Sequence, residues 1–171
     1  MTIEFSVSTH GAGLYEITRS VQNWLANEQT KDGLLTVFVR HTSASLLIQE
    51  NADPDVQTDL HAFFRKLVPH AKHPKMTYLK HRYEGPDDMP AHIKAVLLGS
   101  SVTVPITNGR FNLGTWQGIY LCEHRDRARG RRLAVADQRR QSSGVGAHQD
   151  GGPATVRRRR GLRRRVRDRC L

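Results

Sequence analysis

Histidines, carboxylates and hydroxyls gather in four short stretches of this chain. HTSAS (41–45) sets His41 beside the hydroxyls of Thr42, Ser43 and Ser45. ENADPD (50–55) offers Asn51, Asp53 and Asp55. HRYEGPDDMPAH (81–92) carries His81, Asp87, Asp88 and His92, and ITNGRFNLGTWQG (106–118) adds Asn108, Gly109 and Trp116. Imidazole serves as metal ligand, general acid or cationic clamp near neutral pH. Three imidazoles with a coordination position left open make a familiar catalytic metal arrangement. The same groups, with Ser/Thr hydroxyls, carboxylate-held Mg²⁺ and loop N–H groups, can also stabilise a departing phosphate. Residue types alone leave both chemistries open.

Each group also has a plain structural role. Asp53 precedes Pro54 and can cap a helix, a contribution of about 1 kcal/mol. Asp87 and Asp88 precede Pro90 and can do the same. Asn108-Gly109 is a turn on any reading. A histidine taken singly is more often a hydrogen-bonded core residue than a ligand, and Trp116 suits core or rim packing. No stretch matches a phosphate-binding Walker loop, a zinc CxxC pair or a nucleophile elbow.

The elements that must position these residues follow from apolar spacing. Ile3, Phe5 and Val7 alternate with polar residues, which predicts a half-buried strand. Ile17, Val21, Trp24 and Leu25 recur at helical spacing, predicting a helix over 17–28. LLTVFVR (34–40) reads as a strand and ASLLIQE (44–50) as its neighbour, with HTSAS between them. Asp53-Pro54 opens a helix with Val56, Leu60, Phe63, Phe64 and Leu67 on its apolar face. Residues 70–88 read as a long loop. A short helix with Pro90 in its first turn and Gly99 as its stop follows, and its free N–H groups suit a phosphate. SVTVPI (101–106), QGIYLCEH (117–124) and RRLAVA (131–136) read as late strands. The irregular alternation favours one compact α+β domain, a mostly antiparallel sheet or sandwich with a few packed helices.

The stretches HTSASLLIQENADPDVQTDL (41–60) and EGPDDMPAHIKAVLLGSSVTVPITNGRFNLGTWQGIYLCEHRD (84–126) closely resemble the YjbQ-like family, also described as secondary thiamine-phosphate synthases. The resemblance spans about residues 3–136. It implies a homotrimer with pockets near subunit interfaces. It also implies a thiamine-phosphate synthase activity, which joins an aminopyrimidine pyrophosphate to a thiazole phosphate and releases pyrophosphate. The positions carried over imply His41, Asp53, His81 and His92 as catalytic residues. Thr42, Ser43, Ser45, Asn51, Asn108, Gly109 and Trp116 fall to ligand binding, and Asp55, Gly85, Asp87, Asp88 and Glu123 complete the matching motifs. The implied ligand is a small phosphorylated substrate. A divalent metal, Mg²⁺ or Zn²⁺, is possible, with His41, His81 and His92 as candidate ligands. A non-catalytic protein binding a metal or a phosphorylated metabolite is the alternative. His41, His81 and His92 are expected in one polar pocket, with Asn51 or Asp53 at its rim.

The net charge of +11 over 171 residues misleads about this domain. Residues 1–124 hold 11 Lys+Arg against 12 Asp+Glu, whereas residues 125–171 hold 16 against 4, and all 16 are arginine. From Asp137 onward apolar periodicity ends, which predicts a disordered arginine-rich tail (137–171) after a domain ending near Ala136. Asp-Gln-Arg-Arg (137–140) read one base out of frame can encode Ile-Asn-Gly or Thr-Asn-Gly, so a frame slip competes with a genuine extension. Nucleic-acid binding is expected only non-specifically through that tail, since the domain is nearly neutral and shows no basic-aromatic stacking motif. No stretch reaches the ~18 apolar residues of a membrane span, and no signal-peptide pattern opens the chain. Cys122 and Cys170 lie on either side of the composition break, and a cytoplasmic location is expected.

Overall fold

Alternation along the strands decides which residues meet in the core. The computed structural model describes residues 2–139, and within them β3 (Gly33–Val39) buries Leu35, Val37 and Val39 while Leu34 and Phe38 stay partly exposed. Its neighbours repeat the pattern. β1 is Thr2–Thr9, β5 is Ser101–Thr107, β6 is Arg110–Phe111 and β8 is Arg129–Arg139. Together they form an antiparallel sheet in the order β1-β8-β3-β5-β6. A second sheet runs β2 (Gly13–Glu16), β7 (Gln117–Glu123), β4 (Ala44–Glu50), again antiparallel. The sheets share one core, in which Leu35, Val37 and Val135 join Leu46, Ile119 and Leu121, together with Ile17, Val21 and Leu25 around helix α1 (Thr18–Asn27).

This is the expected α+β architecture, with three differences. ASLLIQE does not pair with LLTVFVR, because β3 and β4 belong to different sheets. The link from Arg40 to Ser43 crosses from one sheet to the other, and both strands bury their apolar faces in the same core rather than side by side. The loop at 70–88 is also more ordered than its composition indicates. Val68, Ala71, Met76 and Leu79 form a small second core packed by Met89 and Ile93 of α3 (Asp88–Leu98).

β8 runs beyond the expected end at Ala136. Leu35 pairs with Asp137 and Gly33 with Arg139, and the Thr30 hydroxyl donates to Asp137 Oδ2 at 2.5 Å. The expected tail and frame slip fall, from residue 140 onward, outside the described residues. Helix α2 (Pro54–Leu67) begins as expected, with Asp53 as its cap, the carboxylate accepting from the Asp55 N–H at 2.9 Å. No described helix is long and apolar enough to cross a membrane.

Candidate metal centre

Helix α3 brings the first two groups together. Asp88 is its first residue and His92 lies one turn on, so both face the same side. The C-terminal end is tied to both sheets: Leu46 N–H donates to the Gly99 carbonyl at 3.2 Å and Val39 N–H to that of Ser100 at 2.9 Å. Gly99 ends the helix at φ +88°, where a side chain would be strained. These anchors set α3 against the link carrying His41, Thr42 and Ser43. His81 arrives from the preceding loop. That loop is braced by the Arg82 guanidinium, which donates to the carbonyls of Leu79, Met76 and Thr77 at 2.7, 3.1 and 2.9 Å.

The ligand atoms of His81, Asp88 and His92 lie within 4.8 Å of one another. Asp88 Oδ2 is 2.7 Å from His81 Nε2 and 3.3 Å from His92 Nε2, and the Asp88 side chain is 3% exposed. His92 Nδ1 lies 2.9 Å from the Thr42 carbonyl. A carbonyl only accepts, so Nδ1 carries the proton and a neutral His92 presents a bare lone pair at Nε2. That lone pair faces a carboxylate oxygen, so a second proton or a cation must lie between them. Two ligands of a tetrahedral Zn²⁺ at about 2.0–2.1 Å stand about 3.3 Å apart. The His92–Asp88 pair already has this spacing, and the His81–Asp88 pair would open by about 0.6 Å to match it. A backbone carbonyl holding the far ring nitrogen is the usual support of a metal-ligating histidine.

Arg125 fixes the carboxylate. Its Nη1 pairs with Asp88 Oδ1, its Nε donates to Asp87 Oδ2 at 2.9 Å and its Nη2 to the Glu84 carbonyl at 2.8 Å. Beside this group opens a polar cleft of about 380 Å³, lined by His41, Thr42, Ser43, Glu84, Asp88, His92, Arg125, Arg129 and Arg131. Arg131, 1% exposed, donates from Nε and Nη2 to the two oxygens of Glu123 at 2.5 Å each. Glu123 also accepts from the Thr9 hydroxyl at 3.0 Å and the Arg125 N–H at 2.8 Å. Arg129 lines the same cleft, is exposed, and makes no side-chain hydrogen bond or ion pair among the described residues.

The predicted site residues divide between the two ends of the molecule. His41, Thr42, Ser43 and His92 line the cleft, and His81 adjoins it through Asp88. His41 stands outside the ligand group, whose third member is Asp88. The signal for Asp88 was present as Asp-x-x-x-His on a helix, but its place before Pro90 equally suits a cap. The helix in fact takes Asp87 as its N-cap residue. Asp87 and Asp88 also put two carboxylates at the helix start, where they already meet the partial positive charge of its N–H groups. Ser45 is not a cleft residue: it is fully buried, with Oγ 2.9 Å from His124 Nε2.

Asn51, Asp53, Asn108, Gly109 and Trp116 are not at the rim. Ala44 pairs with Glu123 at the cleft end of β4, and Glu50 pairs with Gln117 at the other, six residues or about 20 Å away. Asn51 N–H donates to the Trp116 carbonyl there at 2.9 Å, and Asp53 caps α2. Asn108 and Gly109 close the turn at the far end of β5, at φ +52° and +73°, held by Asp32 Oδ1 and the Lys31 carbonyl. Within one chain, a single pocket does not contain these residues.

Behind the cleft, Ser45, His124 and Cys122 form a buried row, with Cys122 Sγ 3.7 Å from His124 Nδ1. Burial pushes the Cys122 thiol up to about 12, which leaves it inert near neutral pH. Burial, then the charges of Lys94 and Arg131, lower His124 from 6.5 to about 3. The unfolded state therefore takes up this proton first. Stability is intact above pH 6.5 and falls by up to about 1.4 kcal/mol per pH unit as pH drops from 6.5 toward 3. His124→Gln, which keeps a partner for Ser45 but does not titrate, is expected to flatten that slope in urea melts. An unchanged slope would show that other groups carry the acid sensitivity.

Comparison with known proteins places this geometry. The family profile "UPF0047 protein YjbQ-like" matches residues 3–139. A UPF0047 protein of Synechocystis sp. is 50% identical over 129 residues, covering 75% of this chain and 85% of that protein. The UPF0047 protein YjbQ of Escherichia coli O157:H7 is 42% identical over 134 residues, covering 78% and 94%. A crystal structure of an uncharacterised YjbQ/UPF0047-family protein from Clostridium acetobutylicum superposes with a TM-score of 0.70 at 40% identity, over 80% of this chain and 99% of that one. A conserved hypothetical protein from Thermus thermophilus gives 0.69 at 33%, over 80% and 99%. The expected thiamine-phosphate synthase activity is corrected on this point: the matching family and relatives carry a family designation of uncharacterised function and no such activity. A profile match across nearly all the described residues, with relatives at this identity and coverage, means that the chain belongs to the YjbQ-like UPF0047 family.

Proposed function

We propose that the protein holds a divalent metal ion on His81, Asp88 and His92 and presents it to a small phosphorylated ligand in the adjoining cleft. The observation that carries this reading is His92 Nε2 standing 3.3 Å from Asp88 Oδ2 while Nδ1 lies 2.9 Å from the Thr42 carbonyl. Two imidazoles and one carboxylate suit Zn²⁺ better than Mg²⁺, which prefers oxygen donors and keeps its waters. Three protein ligands leave positions for water or a ligand oxygen, the pattern of a catalytic rather than a structural zinc site.

Charge favours a phosphate in the cleft. Asp87, Asp88, Glu123 and the rim residue Glu84 stand against Arg125, Arg129 and Arg131, so a bound M²⁺ turns a net negative group into a net positive one that favours an anionic ligand. Glu84 sits at the rim with its side chain 69% exposed, where water screens it. Calorimetric titration with Zn²⁺ tests the reading: one ion per chain with proton release is expected, followed by phosphate binding that depends on the metal. No uptake of Zn²⁺ would leave a proton, not a metal, between His92 and Asp88.

The same reading takes the protein as a cytoplasmic homotrimer. Support comes from apolar side chains left at the surface, among them Phe38, Phe63, Leu67, Val96 and Leu97. A second copy would cover such residues. The buried free thiol of Cys122 suits a reducing compartment. Sedimentation is expected to return the mass of three chains; the mass of one would remove the assembly from the account.

A further inference from the structure

The hydrogen bonds around His41 decide which of its ring nitrogens carries the proton. The backbone N–H of Ser43 can only donate, and it reaches His41 Nδ1 at 3.2 Å. Ser43 Oγ lies 3.1 Å from the same nitrogen. Arg131 Nη2, which also can only donate, reaches Ser43 Oγ at 3.2 Å. The hydroxyl therefore accepts from Arg131 and turns its own proton toward His41. Nδ1 is a lone pair held by two donors, so the neutral ring keeps its proton on Nε2.

This arrangement has a rigid back. Arg131 is locked to Glu123, both about 1% exposed, and Ser43 is 2% exposed. Flipping the ring to expose Nδ1 would leave the Ser43 N–H and the hydroxyl proton unpaired next to a buried guanidinium. Adding a second proton is opposed by burial first, then by the positive charge of Arg131; Glu123 pulls the other way, and Arg129 and His92 again oppose it. His41 shares the cleft wall with His92 and Arg129 but does not belong to the ligand group.

We infer that His41 serves the cleft as a fixed hydrogen-bond donor, its Nε2–H meeting an oxygen of the bound ligand, with Ser43 and Arg131 as its positioning residues. The inference rests on reading the cleft as the site of a phosphate-bearing ligand. It excludes two other roles for the same ring. A general base needs a free lone pair, and the only one is occupied by Ser43. A cationic clamp needs a second proton beside Arg131. Fixed donors of this kind act on charge that a ligand oxygen carries or develops, without reorienting.

Long-range ¹⁵N–¹H correlation spectra of the histidine rings test the tautomer in the protein both with and without Zn²⁺. The proton is expected on Nε2 of His41 at pH 7.5, and Ser43→Ala is expected to bring the other tautomer into view. Titration with inorganic phosphate, in the presence and absence of Zn²⁺, tests the donor. His41→Gln, which keeps an N–H donor, is expected to hold phosphate within about threefold of the parent, and His41→Phe to lose about tenfold, the equivalent of one hydrogen bond. His41→Ala repeats the loss should the phenyl ring disturb packing. A proton on Nδ1, a charged ring at pH 7.5, or unweakened phosphate binding by His41→Phe and His41→Ala would overturn the inference, as would phosphate binding to neither form. Failure of Zn²⁺ alone to bind would strike only the metal reading, because the tautomer and the metal-free titration are read without it.

Discussion

Glu123→Leu is expected to cost about 3–5 kcal/mol of stability, a large share of the ~5–15 kcal/mol that holds a domain together. Glu123 is 1% exposed and its two oxygens receive four donors, from Arg131 Nε and Nη2, the Thr9 hydroxyl and the Arg125 N–H. Removing the carboxylate strands a guanidinium that is only 1% exposed, and this uncompensated charge sets the cost. The pair itself contributes far less than its rupture costs, since burying both ions is expensive. The double variant Glu123→Leu/Arg131→Met is therefore expected to recover much of the loss. Urea denaturation of the three proteins checks both halves. A single variant that loses under ~1 kcal/mol would mean that water reaches Arg131 or that a neighbouring carboxylate replaces Glu123.

The second large effect is expected at Asp88. Asp88→Asn keeps the shape and leaves a carbonyl for Arg125 Nη1, so the fold should lose little. Oδ2, shared by His81 Nε2 at 2.7 Å and His92 Nε2 at 3.3 Å, loses its charge and its value as a metal ligand. Zn²⁺ affinity should fall by at least about 100-fold, beyond the ~10–100-fold typical of an outer partner of a metal ligand. His92→Ala should match it. Competition against a chromophoric chelator reads both, with circular dichroism confirming the fold. Equal affinity in parent and variant would place the metal elsewhere.

Much of this architecture is legible in the residues, because burial on a strand or helix leaves a period. Leu35, Val37 and Val39 mark β3 at period two, and Pro90 and Gly99 bracket α3. His41 at the end of a strand and His92 one turn into a helix fall where their neighbours put them. What periodicity omits is pairing. Nothing in ASLLIQE says that it joins β7 rather than β3; that follows from the crossing link at 40–43 and the common core. The same gap hides that, within one chain, half of the expected site residues lie away from the cleft. Motif density marks Asn51, Asn108 and Trp116 as strongly as His41, but antiparallel registers send them to the opposite ends of their strands. Asp88 was visible but ambiguous, since a cap and a ligand use the same residue at the same place. Arg125 and Arg131 sit next to the arginine-rich terminus, whose composition conceals two guanidiniums that are buried and paired.

The proposed metal centre puts a cation between His92 Nε2 and Asp88 Oδ2. Anomalous diffraction at the zinc edge from crystals soaked in Zn²⁺ tests it most directly. One strong peak per chain is expected, about 2.0–2.2 Å from His81 Nε2, Asp88 Oδ2 and His92 Nε2. His92 Nδ1 should remain on the Thr42 carbonyl, and the His81–Asp88 separation should open from 2.7 Å. A peak elsewhere, such as on the exposed His70–Asp126 pair, or no peak with His81 and His92 still hydrogen-bonded to Asp88, would contradict it.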